Sequence, residues 1–321
     1  HMKQLLVRLG TIFLCVALVW SPLVSLATDN LELTQEQYDE IDQALLDETK
    51  ELPISDEFRI NVSPDDLSVT EGLDENWMNI LLLGTDTGSI KLNYGRTDTM
   101  MIMSVNRVTG KIRLASLVRD MKVNLPFYKN KYKINTANAF GGPLLAVKTV
   151  NEVFGLNIRH YVSINFNGFV KVIDSLGGVE LILTAGESRI VGVPHLDEPQ
   201  LLDGTQALEY VRIRKLDDNF GRNERQRKLL SSLFNKMMKD SNIETAVKAM
   251  TEALRHMATN LSINDLLTLV VPVLSGMETM ETTGFPAVGD YRHETNAKTN
   301  DSYIVFDLEA TRQKLHNYIY Q

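Results

Sequence analysis

Aspartates and arginines recur in this chain where short apolar runs begin or end. Gly84-Thr85-Asp86 follows Ile80-Leu81-Leu82-Leu83, and Arg96-Thr97-Asp98 leads into Thr99-Met100-Met101-Ile102-Met103-Ser104-Val105. If those runs are neighbouring strands, Asp86 and Asp98 reach one sheet edge. Two carboxylates there suit Mg²⁺, or Mn²⁺ in its place, a hard ion that shares its oxygen ligands with substrate phosphates. Taken singly, each is also an ordinary turn aspartate. Arg119-Asp120 closes the next run, Ile112 to Val118, and Arg212, Arg214, Lys215, Arg222, Arg225, Arg227 and Lys228 crowd one short stretch. Arg212 and Arg214 share a face if that segment is extended. Arg222, Arg225 and Gln226 surround the start of a helix, where free N–H groups and the dipole favour an anion. Guanidinium forks suit bidentate contact with phosphate. A single charge run is a solvated face as readily as a site, here balanced by Glu209, Asp217, Asp218 and Glu224. The recurrence of acids and arginines at several separate strand ends favours a diphosphate site with a bound divalent ion.

Other chemistries lack their residues. The one cysteine, Cys15, lies inside an apolar run, so no disulfide framework, Cys-based zinc site or thiol nucleophile is available to the folded part. There is no GxSxG elbow, Walker A loop or HExxH, and the six histidines show no ligand spacing.

The elements that must position these groups read as an α/β pattern. The three apolar runs are strands, with a turn at Asn106 and Thr109-Gly110 between the last two. A helix starts at Gly141-Gly142-Pro143 and stops at Gly155, since Leu144, Leu145, Val147, Val150, Val153 and Phe154 repeat at helical spacing. Tyr161–Ile164 and Val179–Leu183 read as strands around a short helix through Phe169, Val172 and Ile173. Helices also fit Asp203–Val211, Asn223–Lys239, Ile243–Thr259, Ser262–Ser275 and Leu308–Tyr320. Alternating strands and helices predict a three-layer α-β-α sandwich around a central mixed sheet.

The remainder of the chain sets the setting. At 321 residues and 44% hydrophobic it makes one large domain or two small ones. Its net charge of −8 argues against a nucleic-acid partner, although residues 29 to 74 hold fifteen acids against Lys50 and Arg59 alone, which leaves the part after them mildly basic. Lys3 and Arg8 precede an uncharged, apolar stretch from Leu9 to Thr28, long enough to span a bilayer with the amino end inside. Ser25-Leu26-Ala27 offers a cleaved signal peptide as the other reading, and both export the chain. The expected organisation is a membrane anchor or signal segment over 1–28, an acidic linker over 29–76 with one amphipathic helix (Thr34 and Gln37 as a capping box, then Tyr38, Ile41, Leu45 and Leu46), and a catalytic domain over 77–321.

The motifs together resemble the LytR-CpsA-Psr family across roughly residues 78–235: Asn79 to Asp86, Arg96-Thr97-Asp98-Thr99-Met100, Val118-Arg119-Asp120, Lys133-Ile134-Asn135 through Gly141-Gly142-Pro143, Asn167-Gly168-Phe169, Asp174 to Val179, Leu202 to Arg214, and Gly221 to Gln226. The resemblance implies a ligase at the bacterial cell membrane with its catalytic domain outside. Such a phosphotransferase moves a polyprenyl-diphosphate-linked glycopolymer, such as teichoic acid or capsule, onto peptidoglycan, with membrane lipid as a further partner and the prenyl tail in an apolar tunnel. It implies Asp98 as principal Mg²⁺ ligand, with Asp86 supporting it or the incoming hydroxyl. Arg96, Arg119, Arg212, Arg214, Arg222 and Arg225 would hold the diphosphate, aided by Gln226. The chain departs from the family in Val118, where proline is frequent, and in Asn138 and Phe140, where tyrosines are expected.

This agrees with the residue chemistry. Negative charge builds on the leaving diphosphate as its bond to the sugar breaks, and a metal with fixed guanidinium groups stabilises it. Arginine stays protonated, so Asp86 or Asp98 takes the acceptor proton, and the sequence leaves that choice open. Two other functions share parts of the pattern: a pyrophosphatase acting on the same lipid, and a membrane-tethered regulator or binding module without catalysis.

Overall fold

A computed structural model describes residues 59–86, 94–239, 256–262, 264–265, 268–269, 280–296 and 301–321. The expected membrane segment, the linker helix and most of the helices expected over Ile243–Thr259 and Ser262–Ser275 lie outside these residues. Among those described, no helix is long and apolar enough to cross a membrane.

The apolar runs form β1 (Trp77–Thr85), β2 (Thr97–Asn106) and β3 (Ile112–Leu117), followed by a small hairpin of β4 (Lys122–Asn124) and β5 (Lys131–Lys133). Helix α1 (Thr136–Phe154) leads to β6 (His160–Asn165) and α2 (Phe166–Ser175). The ribbon strand β7 (Val179–Leu181), helix α3 (Ala185–Val191) and strand β8 (Gln200–Leu202) precede the helices α4 (Gly204–Arg212) and α5 (Asn219–Lys239). Then come β9 (Met257–Thr259), β10 (Met280–Phe285), β11 (Tyr291–Thr295), β12 (Ser302–Phe306) and α6 (Leu308–Tyr320). The main sheet has the order β10-β3-β2-β1-β6-β9 and is mixed: β1 pairs antiparallel with β2 and parallel with β6.

Both sheet faces are covered, which is why the central strands read as continuous apolar runs rather than alternating ones. On one face Leu81, Leu83, Met100 and Ile102 pack with α1 and α6 through Leu145, Val150, Leu315 and Ile319. On the other, Ile80, Met101, Met103 and Leu114 meet Phe234 of α5. The helices thus lie in two layers about the sheet.

Three expectations are revised in detail. Helix α1 begins at Thr136, ahead of the glycine pair; Gly141 and Gly142 interrupt it, Gly142 at φ 69°, and the helix resumes at Pro143. A side chain on Gly141 would meet the Ile60 carbonyl at 2.7 Å, because the chain before β1 lies against this break. Met257–Thr259, expected as the end of a helix, is instead a strand on the outer side of β6. Three residues are too few for periodicity to separate the two states, and β6 supplies the backbone partners that decide it. Val62 and Leu67 are buried in the main core, so packed structure begins before the boundary expected at residue 77.

Candidate functional site

Strand direction assembles the charged groups. Since β2 runs antiparallel to both β1 and β3, the end of β1, the start of β2 and the end of β3 share one sheet edge. Asp86, Asp98 and Arg119 follow from that alone. Register adds a bulge: Gly84 pairs with Thr99 and Thr85 with Thr97, which leaves Asp98 without an opposite residue. A bulge of this kind re-aims a side chain. Asn138 Nδ2 donates to the Gly95 carbonyl at 2.7 Å and so ties down the approach to Arg96. Phe140, the third departure from the family pattern, packs its ring against Tyr128 and Tyr132 with centroids 4.7 and 5.5 Å away.

Asp98 is the centre of the charge network. Arg119 Nη1 donates to its Oδ1, Arg214 Nη2 lies 3.3 Å from its Oδ2, and Arg222 Nη1 is 3.8 Å from Oδ1. Arg222 also donates to the Asp98 backbone carbonyl at 3.3 Å. Burial works to raise the Asp98 carboxyl, but the charges of Arg119, Arg222 and Arg214 outweigh it and hold its pKa below the usual value. Asp86 goes the other way. Although open to solvent on one side, it is raised by partial burial first and by the Asp98 charge second. Burial and the neighbouring Arg119 lower Arg222 to about 10, partly offset by Asp98, so it remains a cation at neutral pH.

Two cavities are lined by neighbouring residues at this edge. A polar one of about 80 Å³ is lined by Asp86, Arg96, Asp98, Arg119 and Arg214, and on its other side by Lys133, Asn135, Asp301 and Tyr303 among others. An apolar one of about 250 Å³ lies between the sheet and helices α2, α4 and α5, lined by residues such as Met101, Phe169, Leu208 and Leu230. Gly84 and Thr99 line the apolar cavity while Asp86 and Asp98, one or two residues along the same strands, line the polar one.

Asp86, Arg96, Asp98, Arg119, Arg214 and Arg222 thus come together. Arg212, Arg225 and Gln226 do not join them. Arg212 ends helix α4, so it shares no extended face with Arg214, and its guanidinium lies over the Phe166 ring, 4.6 Å from the centroid. Arg225 is buried and turned inward, donating to both carboxylate oxygens of Asp217 at 2.6 and 2.7 Å and to the Ile213 carbonyl at 2.8 Å, with Glu187 3.6 Å away. It clamps the segment that carries Arg214 onto α5. Gln226 lines the apolar cavity. The spacing of charges along the chain carried no information on which way each side of α5 faces.

Sequence reasoning assigned no site role to Asp120, Lys133, Asn135, Asp301 or Tyr303. Asp120 accepts from Asn219 Nδ2 at 2.5 Å and lies 3.5 Å from Arg119 Nε and 3.9 Å from Lys133 Nζ. Lys133 and Asn135 sit in a recognised motif and were available from it. Tyr303 arrives on β12 and Asp301 immediately before it, far along the chain, with no local signal.

Among the described residues, no group of three or more carboxylate, histidine or cysteine side chains is placed to cage a metal. The donor set nevertheless fits Mg²⁺, which takes one or two carboxylates and completes its shell from substrate phosphates and water. Asp98 has lone pairs beyond those its arginines occupy, and a second carboxylate, Asp86, lines the same cavity.

Known proteins resemble this chain in sequence and in fold. The profile of the LytR_cpsA_psr family matches residues 33–317. A polyisoprenyl-teichoic acid–peptidoglycan teichoic acid transferase, TagU of Oceanobacillus iheyensis, is 36% identical over 247 residues, 73% of each chain. The TagU transferase of Enterococcus faecalis is 34% identical over 215 residues, 64% of this chain and 71% of that one. The solved structure of TagT bound to LIIa-WTA aligns with a TM-score of 0.64 over 81% of this chain and 99% of its own; at 24% identity it speaks to the fold alone.

Proposed function

Because this chain belongs to the LytR-CpsA-Psr family, we propose that it transfers a teichoic-acid-type glycopolymer from a polyprenyl diphosphate carrier onto peptidoglycan, outside the cytoplasmic membrane and with Mg²⁺ bound. It is a transferase, as its named relatives are. The observation that carries the reading is that neighbouring residues, Gly84 and Asp86 on one side and Thr99 and Asp98 on the other, line an apolar and a polar cavity, which suits a ligand that is apolar at one end and polyanionic in the middle. The uncharged stretch from Leu9 to Thr28, behind Lys3 and Arg8, supports anchoring with the site outside.

In this reading the prenyl tail occupies the apolar cavity, and Arg96, Arg119, Arg214 and Arg222 hold the diphosphate. An acceptor hydroxyl oxygen forms a bond to the phosphorus that bears the glycopolymer. The bond that breaks is then the one from that phosphorus to the bridging oxygen, in place of the sugar–diphosphate bond expected from the residue chemistry, and polyprenyl phosphate leaves with the electron pair. Fixed guanidinium groups stabilise charge on the leaving phosphate without reorganising. Asp98 is a poor base, since three arginines hold it ionised. Asp86, raised and open to the cavity, takes the acceptor proton. Asp98 would be the principal Mg²⁺ ligand, and the ion when bound supplies charge neutralisation at the diphosphate.

The test incubates the protein with lipid diphosphate-linked glycopolymer, with and without peptidoglycan. A polymer–peptidoglycan adduct that forms with Mg²⁺ and disappears with EDTA is the expected result, and Arg119→Ala or Arg222→Ala should lower turnover about 10²–10³-fold with folding preserved. Phosphate release that is indifferent to peptidoglycan, with no adduct, would identify a hydrolase instead.

A further inference from the structure

The polar cavity continues past the arginines that surround Asp98. A row of charges alternating in sign leads away from that residue. Arg119 donates to Asp98, Asp120 Oδ2 lies 3.5 Å from Arg119 Nε, Lys133 Nζ lies 3.9 Å from Asp120 Oδ1, and Asp301 Oδ1 lies 3.5 Å from Lys133 Nζ. Every member of the row lines the cavity, and Asp301, at its far end, keeps 15% of its side chain exposed there. The backbone fixes its place. Ile304 is buried, donates its N–H to the Asp120 carbonyl at 2.9 Å and bridges to Met121, which lays β12 beside the end of β3. The Asp301 carbonyl in turn accepts from Asn296 N at 2.9 Å. Asp301 and Tyr303 are two residues apart in extended chain and so share a face, and both line the cavity. The ammonium groups of Lys122 and Lys133 lie 5.0 and 5.7 Å from the centre of the Tyr303 ring and hold it in this wall.

A diphosphate carries acceptor oxygens and negative charge, which the arginines match and an added carboxylate repels. What an ionised carboxylate recognises is a partner that brings O–H or N–H groups, and a sugar presents both. Such a carboxylate accepts several hydrogen bonds, so the contact with Lys133 orients Asp301 without exhausting it. We propose that Asp301 is a specificity residue for the acceptor: its carboxylate receives a hydroxyl or acetamido N–H of the acceptor sugar, in a subsite whose wall includes Tyr303. The reacting hydroxyl's own proton is then left for Asp86, which lines the same cavity. The inference rests on the transferase reading and extends it, because it gives the acceptor a binding residue from the last hairpin of the chain, outside every motif that carries the family resemblance.

The experiment measures steady-state transfer to a soluble glycan-strand fragment free of peptide stems, with intact peptidoglycan as the parallel acceptor. Asp301→Ala should raise the KM for the fragment about 10–100-fold, the equivalent of one lost hydrogen bond to a charged group, and divert turnover to water. The lipid donor KM and the Mg²⁺ affinity measured calorimetrically should stay unchanged. Asp301→Asn keeps an acceptor oxygen in place but gives up the charge opposite Lys133, and it should recover much of the acceptor KM; the melting temperatures of both variants guard against misfolding as the explanation. Asn as harmful as Ala would make Asp301 a mere partner of Lys133 and overturn the assignment. An unchanged acceptor KM in Asp301→Ala, a rise confined to the donor KM, a loss of Mg²⁺ affinity, or wild-type transfer to peptidoglycan but not to the stem-free fragment would each overturn it as well, while leaving the transferase reading intact. Wild-type protein that forms no adduct with either acceptor would overturn both.

Discussion

At the scale of single residues, Asp86 and Asp98 show how one chemical group is given two behaviours by its surroundings. Asp98 lies among Arg119, Arg214 and Arg222 and stays ionised; Asp86 feels partial burial and the Asp98 charge and is raised. The sequence placed both at one edge but left open which of them is the base, since it does not contain the distances that set either shift. The rate at limiting acceptor should therefore rise with pH along a limb whose apparent pKa lies above the ordinary carboxylate value, 3.8 for aspartate. Asp86→Asn should remove that limb together with most of the activity. The sign for stability is fixed as well. A carboxyl whose folded pKa is raised destabilises the fold once ionised and not while protonated. Asp86→Asn should thus raise the melting temperature slightly at neutral pH and have no such effect well below pH 3.8. A neutral-pH melting temperature that falls would contradict this account.

At the scale of elements, the connection from α4 to α5 holds Arg214 against Asp98 through a clamp that the sequence disguised as part of the binding site. Arg225 grips Asp217 with two hydrogen bonds and the Ile213 carbonyl with a third, and so fixes both ends of the segment around Arg214. Gly221 is required beside it, because a side chain there would collide with the Asp217 carboxylate. Arg225→Ala would leave Glu187 and Asp217 without their cation. With Asp217 about one-third exposed, at 35%, we expect the low end of the cost for breaking a buried pair, about 3 kcal/mol, read as a fall in chemical-denaturation stability. Arg212→Ala, by contrast, should leave both stability and turnover close to wild type. Equal effects of the two substitutions on catalysis and none on stability would return Arg225 to the binding site. The charge run from Arg212 to Lys228 was legible as important, but its division into a site residue, a clamp and an outlier depends on where α4 ends and how α5 is turned, which spacing alone does not fix.

At the scale of the whole molecule, the chain before β1 is part of the fold. Val62 and Leu67 enter the main core, Lys148 reaches Asp66 at 2.7 Å, and Asn151 Nδ2 donates to the Leu67 carbonyl at 2.7 Å. Removal of residues 59–70 in addition to 1–58 should cost about 3–6 kcal/mol more than removal of 1–58 alone, from the two lost apolar side chains, measured by denaturant unfolding. Equal stability of the two truncations would show that the segment contributes nothing. The acidic composition of this region hid its packing, because Val62 and Leu67 are isolated among polar residues and only the groove along α1 gives them somewhere to go. The sequence by itself determined the apolar central strands and the order of the family's motifs, and it put Asp86 and Asp98 at one edge on the condition that their strands are neighbours, since local periodicity marks the strands but not their pairing. Only the tertiary structure decided the bulge at Asp98, the inward turn of Arg225, and the arrival of Tyr303 on β12 with Asp301 just before it. Those depend on contacts between segments far apart in the chain, where no residue's neighbours in sequence record what it will meet in space.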